Sequence, residues 1–409
     1  MRRAGGRIHL VDRDRPERRR WIRLAVVGLA CVLGAACTGT DSQEATRAPE
    51  APARPDYWPT AGWKTAAPAE QGMDPAVLDD LATKVPEFYP RSAASSWSAM
   101  AIWCTSATGR ASPPATVTTS ARSPRVLSRR WSASPSGTGT CGAWTRRSRS
   151  CWPSISRPGD PRLRQVTLEQ LLTMTSGLAG DDSSLGGDDR LWDRMFQSPD
   201  WVRYTLGRRL ETAPGESFAY SSATTSHLLS AIVADSSGQS TMEFARQELF
   251  GPLGIAADKA REPAIRRWPP TSAMVEAFQQ APVAWPTDPQ GYHFGGAFLK
   301  LPARDLAKLG YLYLNGGRWD GTQVIPAEYV AASTRPQSDP SVGPGDYGYQ
   351  WWVTSELGYP SFFALGYGGQ TIRVIPKLDL VAVVTSDPDQ ERYDAPNLVV
   401  ETIVPAVTS

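Results

Sequence analysis

Apolar residues recur at helical spacing along most of the chain after residue 74. Asp74-Pro75 opens the first such pattern: Asp74 can cap, Pro75 suits a first turn, and Val77, Leu78, Leu81 and Val85 form the stripe. Thr167 followed by Gln170 reads as a capping box, with Gly177 expected to end that helix. Further helical patterns cover 191–196, 201–206, 223–235, 242–249, 302–315 and 326–333. Period-two and β-branched runs come later: 347–354 reads as one strand, and 370–375 and 380–385 as two strands joined by Pro376-Lys377-Leu378-Asp379. Residues 397–404 are expected to close the domain as a helix. A helical middle followed by late strand pairs predicts an α+β domain, an antiparallel sheet packed with helices.

One stretch breaks this order. Residues 88–159 contain no Asp, Glu or Lys, although Glu87 and Asp160 flank them directly. The stretch holds Cys104, Cys141 and Cys151, three of the five cysteines in the chain, and is crowded with Ser, Thr, Arg and Trp. It has apolar content but neither helical nor alternating spacing. Read as written, it removes strands and a helix from the domain, and the facing core would then be exposed, which predicts poor folding.

Composition adds little to the fold and more to the location. The 409 residues are 41% hydrophobic and 21% charged, a globular balance, and the net charge of +2 gives no reason to expect nucleic acid as a partner. The N-terminus reads as a targeting segment: Arg18-Arg19-Arg20, then an apolar run over 24–36, shorter than a comfortable bilayer span. It ends Leu33-Gly34-Ala35-Ala36-Cys37, small residues before a Cys, which resembles a bacterial lipoprotein cleavage box with Cys37 as the lipidated residue. A plain signal peptide cut near Ala36, or an uncleaved anchor, is the alternative. The expected organisation is a signal peptide over 1–36, a Thr/Ala/Pro-rich tether over 37–56 and a folded domain over 57–409, held to the envelope by a lipid anchor. Cys104, Cys141 and Cys151 lack zinc-ligand spacing, and neither a phosphate loop nor a dinucleotide glycine motif is present, so no metal or cofactor is expected.

Six short segments occur in an informative order: Thr173-Met174-Thr175-Ser176-Gly177, Pro214-Gly215-Glu216, Tyr220-Ser221-Ser222, Phe250-Gly251-Pro252-Leu253-Gly254, Arg304-Asp305-Leu306-Ala307 and Gly366-Tyr367-Gly368-Gly369-Gln370. Together they resemble the serine hydrolases of the class C β-lactamase type, a group that includes penicillin-binding proteins, esterases and 6-aminohexanoate-dimer hydrolases. The resemblance implies a β-lactamase-like fold, its sheet built from both ends of the domain and a helical subdomain inserted between them. It also implies a small-molecule ester or amide substrate and a Ser-x-x-Lys nucleophile whose proton is managed by Lys and a Tyr. Tyr220 takes the place of that Tyr. Ser222 stands where relatives often carry Asn. Tyr367-Gly368-Gly369 replaces the Lys-Thr-Gly typical of β-lactamases, and the Gln370 N–H is expected in the oxyanion hole. The missing cation removes a partner for a β-lactam carboxylate and favours an esterase or amidase.

The nucleophile itself is missing. The lysines are Lys64, Lys84, Lys259, Lys300, Lys308 and Lys377, and none has Ser three residues before it. The family expects the motif inside the anomalous stretch. Shifted by two bases, the codons of residues 121–126 permit Ser-Val-Thr-Lys-Ser, and the same frame permits strand-like sequence over 99–109. This suggests a compensated frameshift over about 92–157; a genuine Ser/Arg-rich insertion is the alternative. Of the histidines, His227 is expected to pack and His293 could line a cleft, so a Ser-His-Asp triad has weak support. A non-catalytic binding protein or a defunct product remains the alternative function.

Overall fold

The computed structural model describes residues 31–32, 57–80, 101–105, 110–111, 127–128, 159–355, 358–366, 369–385 and 395–407. Its main feature is an eight-stranded sheet. The strands are β1 (Lys64–Thr65), β2 (Ala101–Thr105), β3 (Arg110–Ala111), β4 (Asp346–Tyr347), β5 (Trp352–Thr354), β6 (Ser361–Gly366), β7 (Gln370–Ile375) and β8 (Leu380–Thr385). Their spatial order is β1-β3-β2-β8-β7-β6-β5-β4, antiparallel except for the β1–β3 pair. Strands from both ends of the domain therefore share one sheet, as the resemblance implied. The helical block between them contains α2 (Leu168–Leu172), α3 (Arg190–Gln197), α4 (Trp201–Leu206), α5 (Thr225–Ser237), α6 (Thr241–Ala245), α7 (Ser272–Gln280), α8 (Ala303–Leu314) and α9 (Ala327–Ser333). A short α1 (Pro75–Asp79) precedes the block, and α10 (Ala395–Leu398) comes after the sheet, continuing as wider turns to Ile403 and a last α-helical turn over Val404–Ala406.

The central strands are buried on both faces, and their alternation sorts the two layers. Ile372, Val374, Val381 and Val383 face the block and pack with Leu306, Leu309 and Tyr313 of α8. Ile375, Leu380, Ala382 and Val384 face the other way, onto Leu398, Val399, Ile403, Val404 and Met73. Each such aliphatic side chain contributes roughly 1.5–3 kcal/mol when fully buried. Gly310 lets α8 sit this close, since a Cβ there would lie 2.5 Å from Val381 Cγ1 and 2.9 Å from Ile372 Cγ2.

Two family-like segments serve packing. A Cβ on Gly254 would lie 2.0 Å from the Thr60 carbonyl oxygen, so the chain at 60 runs directly over this glycine. The Lys308 ammonium donates to the Gly254 carbonyl at 2.8 Å and pairs with Asp305 at 3.1 Å. Trp63 Nε1 donates to the Arg304 carbonyl at 2.9 Å, and Trp319 Nε1 donates to Thr60 Oγ1 at 2.8 Å.

Several expectations need correction. The 347–354 run is two strands: residues 348–351 turn between β4 and β5, with Gln350 at φ 63°. Gln350 holds this turn by tertiary bonds, its N–H and Nε2 donating to the Leu172 carbonyl at 3.1 and 2.9 Å. The helix capped by Thr167 ends at Leu172, well before Gly177. Residues 88–159 do not lose all their strands, because β2 pairs with β8 from Val381↔Thr105 to Thr385↔Ala101. Backbone pairing asks little of side-chain identity, so this pentapeptide can close the β8 edge. Strand β6 and helix α7 were not anticipated.

Asp160 fixes the entry to the helical block. Its carboxylate accepts from Arg162 and from the Leu210 N–H at 3.1 Å, and Arg162 in turn donates to the Leu210 carbonyl at 2.7 Å. The Arg162 hydrogen bond holds the Asp160 carboxyl well below its ordinary value of 3.8. A lowered carboxylate pKa gives stability that is present above the unfolded value and lost on acidification. The stability difference between wild type and Asp160→Asn should therefore shrink as pH falls below about 4, measured by urea denaturation across pH. Gly310→Val should lower stability by roughly 1–3 kcal/mol through overpacking against Val381 and Ile372, read from the shift of the denaturation midpoint.

Candidate active site

Two chain segments are laced together to deliver Tyr220. Met174 adopts φ 59°, a left-handed conformation that costs a non-glycine residue about 1–2 kcal/mol. Its carbonyl accepts the Ala219 N–H at 2.9 Å; the Thr175 carbonyl accepts that of Gly215 at 2.8 Å, and the Gly177 carbonyl that of Glu211 at 2.8 Å. Gly177 has φ 84°, and a Cβ there would lie 2.6 Å from the Thr212 carbonyl oxygen, so only glycine fits. The 173–177 and 214–216 segments thus face each other, and the chain leaves their junction at Tyr220.

Asp181 ties Tyr220 to the start of α5. It is fully buried. Its N–H donates to the Tyr220 carbonyl at 2.9 Å. Its Oδ2 accepts the Thr224 N–H at 3.0 Å and the Thr224 hydroxyl at 3.2 Å, and its Oδ1 accepts the Ser222 hydroxyl at 3.5 Å. The carboxylate also lies beside the first turn of α5, where negative charge is favoured. Ser222 is fully buried in this contact.

The Tyr220 ring stacks on Trp352, with centroids 5.7 Å apart and planes at 25°, and meets Tyr347 edge-on at 6.1 Å. Met174, Phe363, Tyr347 and Trp352 complete this cluster, and half-buried Leu185, Phe218 and Leu365 form its rim. Leu365 lies on β6 next to the hairpin tip. There Gly366 pairs with Gln370, and the Gly369 N–H donates to the Gly366 carbonyl at 3.2 Å. Gly369 has φ 87°, and Gln370 is fully buried. The fold therefore brings Tyr220 and the Gly366–Gln370 hairpin to one aromatic cluster through Leu365 and Phe363. Tyr367, Gly368, Cys37 and residues 121–126 lie outside the described residues.

The histidines belong elsewhere. His227 is fully buried, its Nε2 3.0 Å from Asp288 Oδ2, while the Gly295 N–H approaches Nδ1 at 3.4 Å. A neutral ring protonated on Nε2 satisfies both contacts, so His227 clasps α5 to the 288–295 loop. His293 is buried on Trp285 and bonds Glu262 at 3.0 Å, so it lines no cleft. That hydrogen bond, helped by Arg246, holds the Glu262 carboxyl below its ordinary range.

Residues 143–401 match the β-lactamase family. The chain belongs to that family. A match to "Uncharacterized protein BpOF4_21049" of Alkalihalophilus pseudofirmus is 28% identical over 242 residues, 54% of this chain and 61% of the relative. A match to the 6-aminohexanoate-dimer hydrolase of Paenarthrobacter ureafaciens is 31% identical over 119 residues, 26% of this chain and 30% of the relative. The chain thus spans less than two thirds of either curated relative. Among solved structures, EstCE1, a hydrolase with promiscuous acyltransferase activity, has a TM-score of 0.53 at 13% identity, covering 82% of this chain and 100% of that one. The octameric penicillin-binding protein homologue from Pyrococcus abyssi has a TM-score of 0.51 at 18% identity, covering 80% of this chain and 77% of that one. At such identities these two structures establish the fold, and the family match establishes a β-lactamase-like hydrolase superfamily.

Asp181 escaped the sequence reading, which places Met174 only within the 173–177 segment and Trp352 only within the 347–354 strand. Asp181 was one acid of a Gly/Asp loop that also holds Asp182, Asp188 and Asp189, and only the fold separates it from them. Asp181→Ala should cost about 1–3 kcal/mol, because the Thr224 N–H loses its buried acceptor; Asp181→Asn should recover part of this. Urea denaturation of the two variants checks both outcomes.

Proposed function

We propose that this domain is the scaffold of an exported acyl hydrolase that acts on esters or amides through an acyl-enzyme, and that the chain as written lacks the nucleophile. The carrying observation is the pairing of a built Tyr220 site with a sequence that contains no Ser-x-x-Lys. In the complete site a Ser oxygen attacks the substrate carbonyl. Its proton passes to the Lys–Tyr220 pair and then to the leaving oxygen or nitrogen, and water releases the acyl group. A ring fixed by Trp352 and a backbone fixed by Asp181 support this role for Tyr220. The Gln370 N–H, at the first residue of β7, is the proposed oxyanion donor.

The out-of-frame Ser-Val-Thr-Lys-Ser over 121–126 accounts for the missing motif as a compensated frameshift. A second reading, a non-catalytic envelope protein that keeps the cleft for binding, is favoured by the same missing motif if the chain is made as written. Export through 1–36 and lipidation at Cys37 would set the domain at the outer face of the cytoplasmic membrane, behind the 37–56 tether. Among the described residues no helix is long and apolar enough to cross a membrane.

Treatment with a fluorophosphonate probe tests the proposal. The chain as written should remain unlabelled, and the frame-restored chain should be labelled at the Ser of Ser-Val-Thr-Lys and should hydrolyse 4-nitrophenyl butyrate. An acyl-enzyme on the chain as written would sink the proposal. Sequencing the gene from the Glu87 codon to the Asp160 codon should reveal the compensating base changes; an unchanged sequence there would leave binding as the better account.

A further inference from the structure

The rim of the Tyr220 cluster carries a second kind of information. Leu185, Phe218 and Leu365 are half-buried on it. Val342, on the loop facing Gly186, is the exposed large hydrophobic residue among the described residues, at 44%. It is 3.8 Å from where a Cβ on Gly186 would stand. The next residue, Gly343, has its backbone pressed on the same wall: a Cβ there would lie 2.6 Å from Trp352 Cη2 and 3.4 Å from Leu185 Cδ2. Two loops, 182–190 and 338–347, therefore meet over Trp352 and continue the apolar surface outward from Tyr220.

The charges around this surface are one-sided. The segments that border it, 182–190, 214–218 and 338–347, carry six carboxylates (Asp182, Asp188, Asp189, Glu216, Asp339 and Asp346) and one cation, Arg190. The Arg190 guanidinium is held by Asp188 through bonds of 2.8 and 2.9 Å. Along these described segments a carboxylate-bearing ligand would meet mainly like charge and would lose its water; the Arg373 guanidinium, 4.9 Å from the Phe363 ring centroid, is buried and bonded to Ser361.

We infer that Leu185, Phe218, Val342 and Leu365 form an acyl subsite that takes a neutral, apolar acyl group and turns away anionic ones. This deepens the hydrolase reading and rests on it for the direction of the acyl group, but it concerns binding and needs no nucleophile. The apolar walls supply affinity by removing methylenes from water, and the acidic rim supplies discrimination.

The test uses the full chain and a matched pair of probes, butyryl-4-nitroanilide and succinyl-4-nitroanilide, with affinities from isothermal titration. The two acyl groups have the same carbon count and differ by a terminal carboxylate. Butyryl should bind about tenfold more tightly, because its terminal methyl leaves water where the succinyl carboxylate would lose its hydration beside like charge. Val342→Asp, at an exposed position, should remove that advantage without lowering the thermal midpoint, and Phe218→Ala should weaken butyryl binding alone. Equal or tighter succinyl binding, no binding of either probe, or unchanged affinity in both variants would overturn the subsite. Release of 4-nitroaniline, followed by absorbance in the same samples, reports on hydrolysis separately. Selective binding without release would keep the subsite and reject turnover.

Discussion

The placing of Tyr220 depends on one buried residue, Asp181, which ties it to the start of α5. Asp181 makes contacts in two directions, donating from its backbone to the Tyr220 carbonyl and accepting at its carboxylate from Thr224 and Ser222. The first contact sets the height of Tyr220 and the second sets the start of α5. A buried acid is tolerable here because backbone and hydroxyl donors surround it. The strained Met174 and the obligatory Gly177 serve the other side of Tyr220, since they allow the 173–177 segment to run close enough for its carbonyls to accept from Glu211, Gly215 and Ala219.

Around this point the family-like segments divide into two groups. Those near residues 173, 214 and 366 shape the site. Those near residues 250 and 304 act at the far side of the block, where Gly254, Lys308 and Trp63 join the N-terminal chain to α8. Their shared order along the sequence thus reports a fold first and a chemistry second. Under the proposed function the chemistry turns on a different matter, whether a nucleophile is present to work with Tyr220.

Much of this was legible before the structure. The runs at 370–375 and 380–385 became β7 and β8 at those bounds because their β-branched residues flank a turn with Asp379 in the left-handed region. The Thr167 capping box formed as read, with the Gln170 N–H donating to Thr167 Oγ1 at 3.1 Å. The β4–β5 turn was hidden because Gly348 sits in an aromatic run, Tyr347 to Trp352, that reads as one continuous strand; Gln350 bends there because Leu172 and Ser226 hold its side chain. Strand β6 was hidden because Ser-Phe-Phe-Ala-Leu-Gly is buried on both faces and shows little alternation. Helix α7 has no fully buried residue, and its stripe is short, Met274, Val275 and Phe278, the first and last half-buried on the Phe294 cluster. Tyr220 came from the resemblance, whereas its stacking on Trp352 required the fold, since 132 residues of sequence separate the two rings (352 − 220).

The N-terminal docking has a mechanical side. Trp58, Thr60 and Trp63 grip Tyr311, Trp319 and the Arg304 carbonyl across an aromatic seam, with ring centroids between 5.4 and 5.7 Å. Any pull on the chain ahead of residue 57 is borne first by this seam and by α8 behind it. The Asp181 contacts and the hairpin tip near Tyr220 lie on other elements. The domain can thus take strain at its entry point while the geometry around the tyrosine stays unloaded.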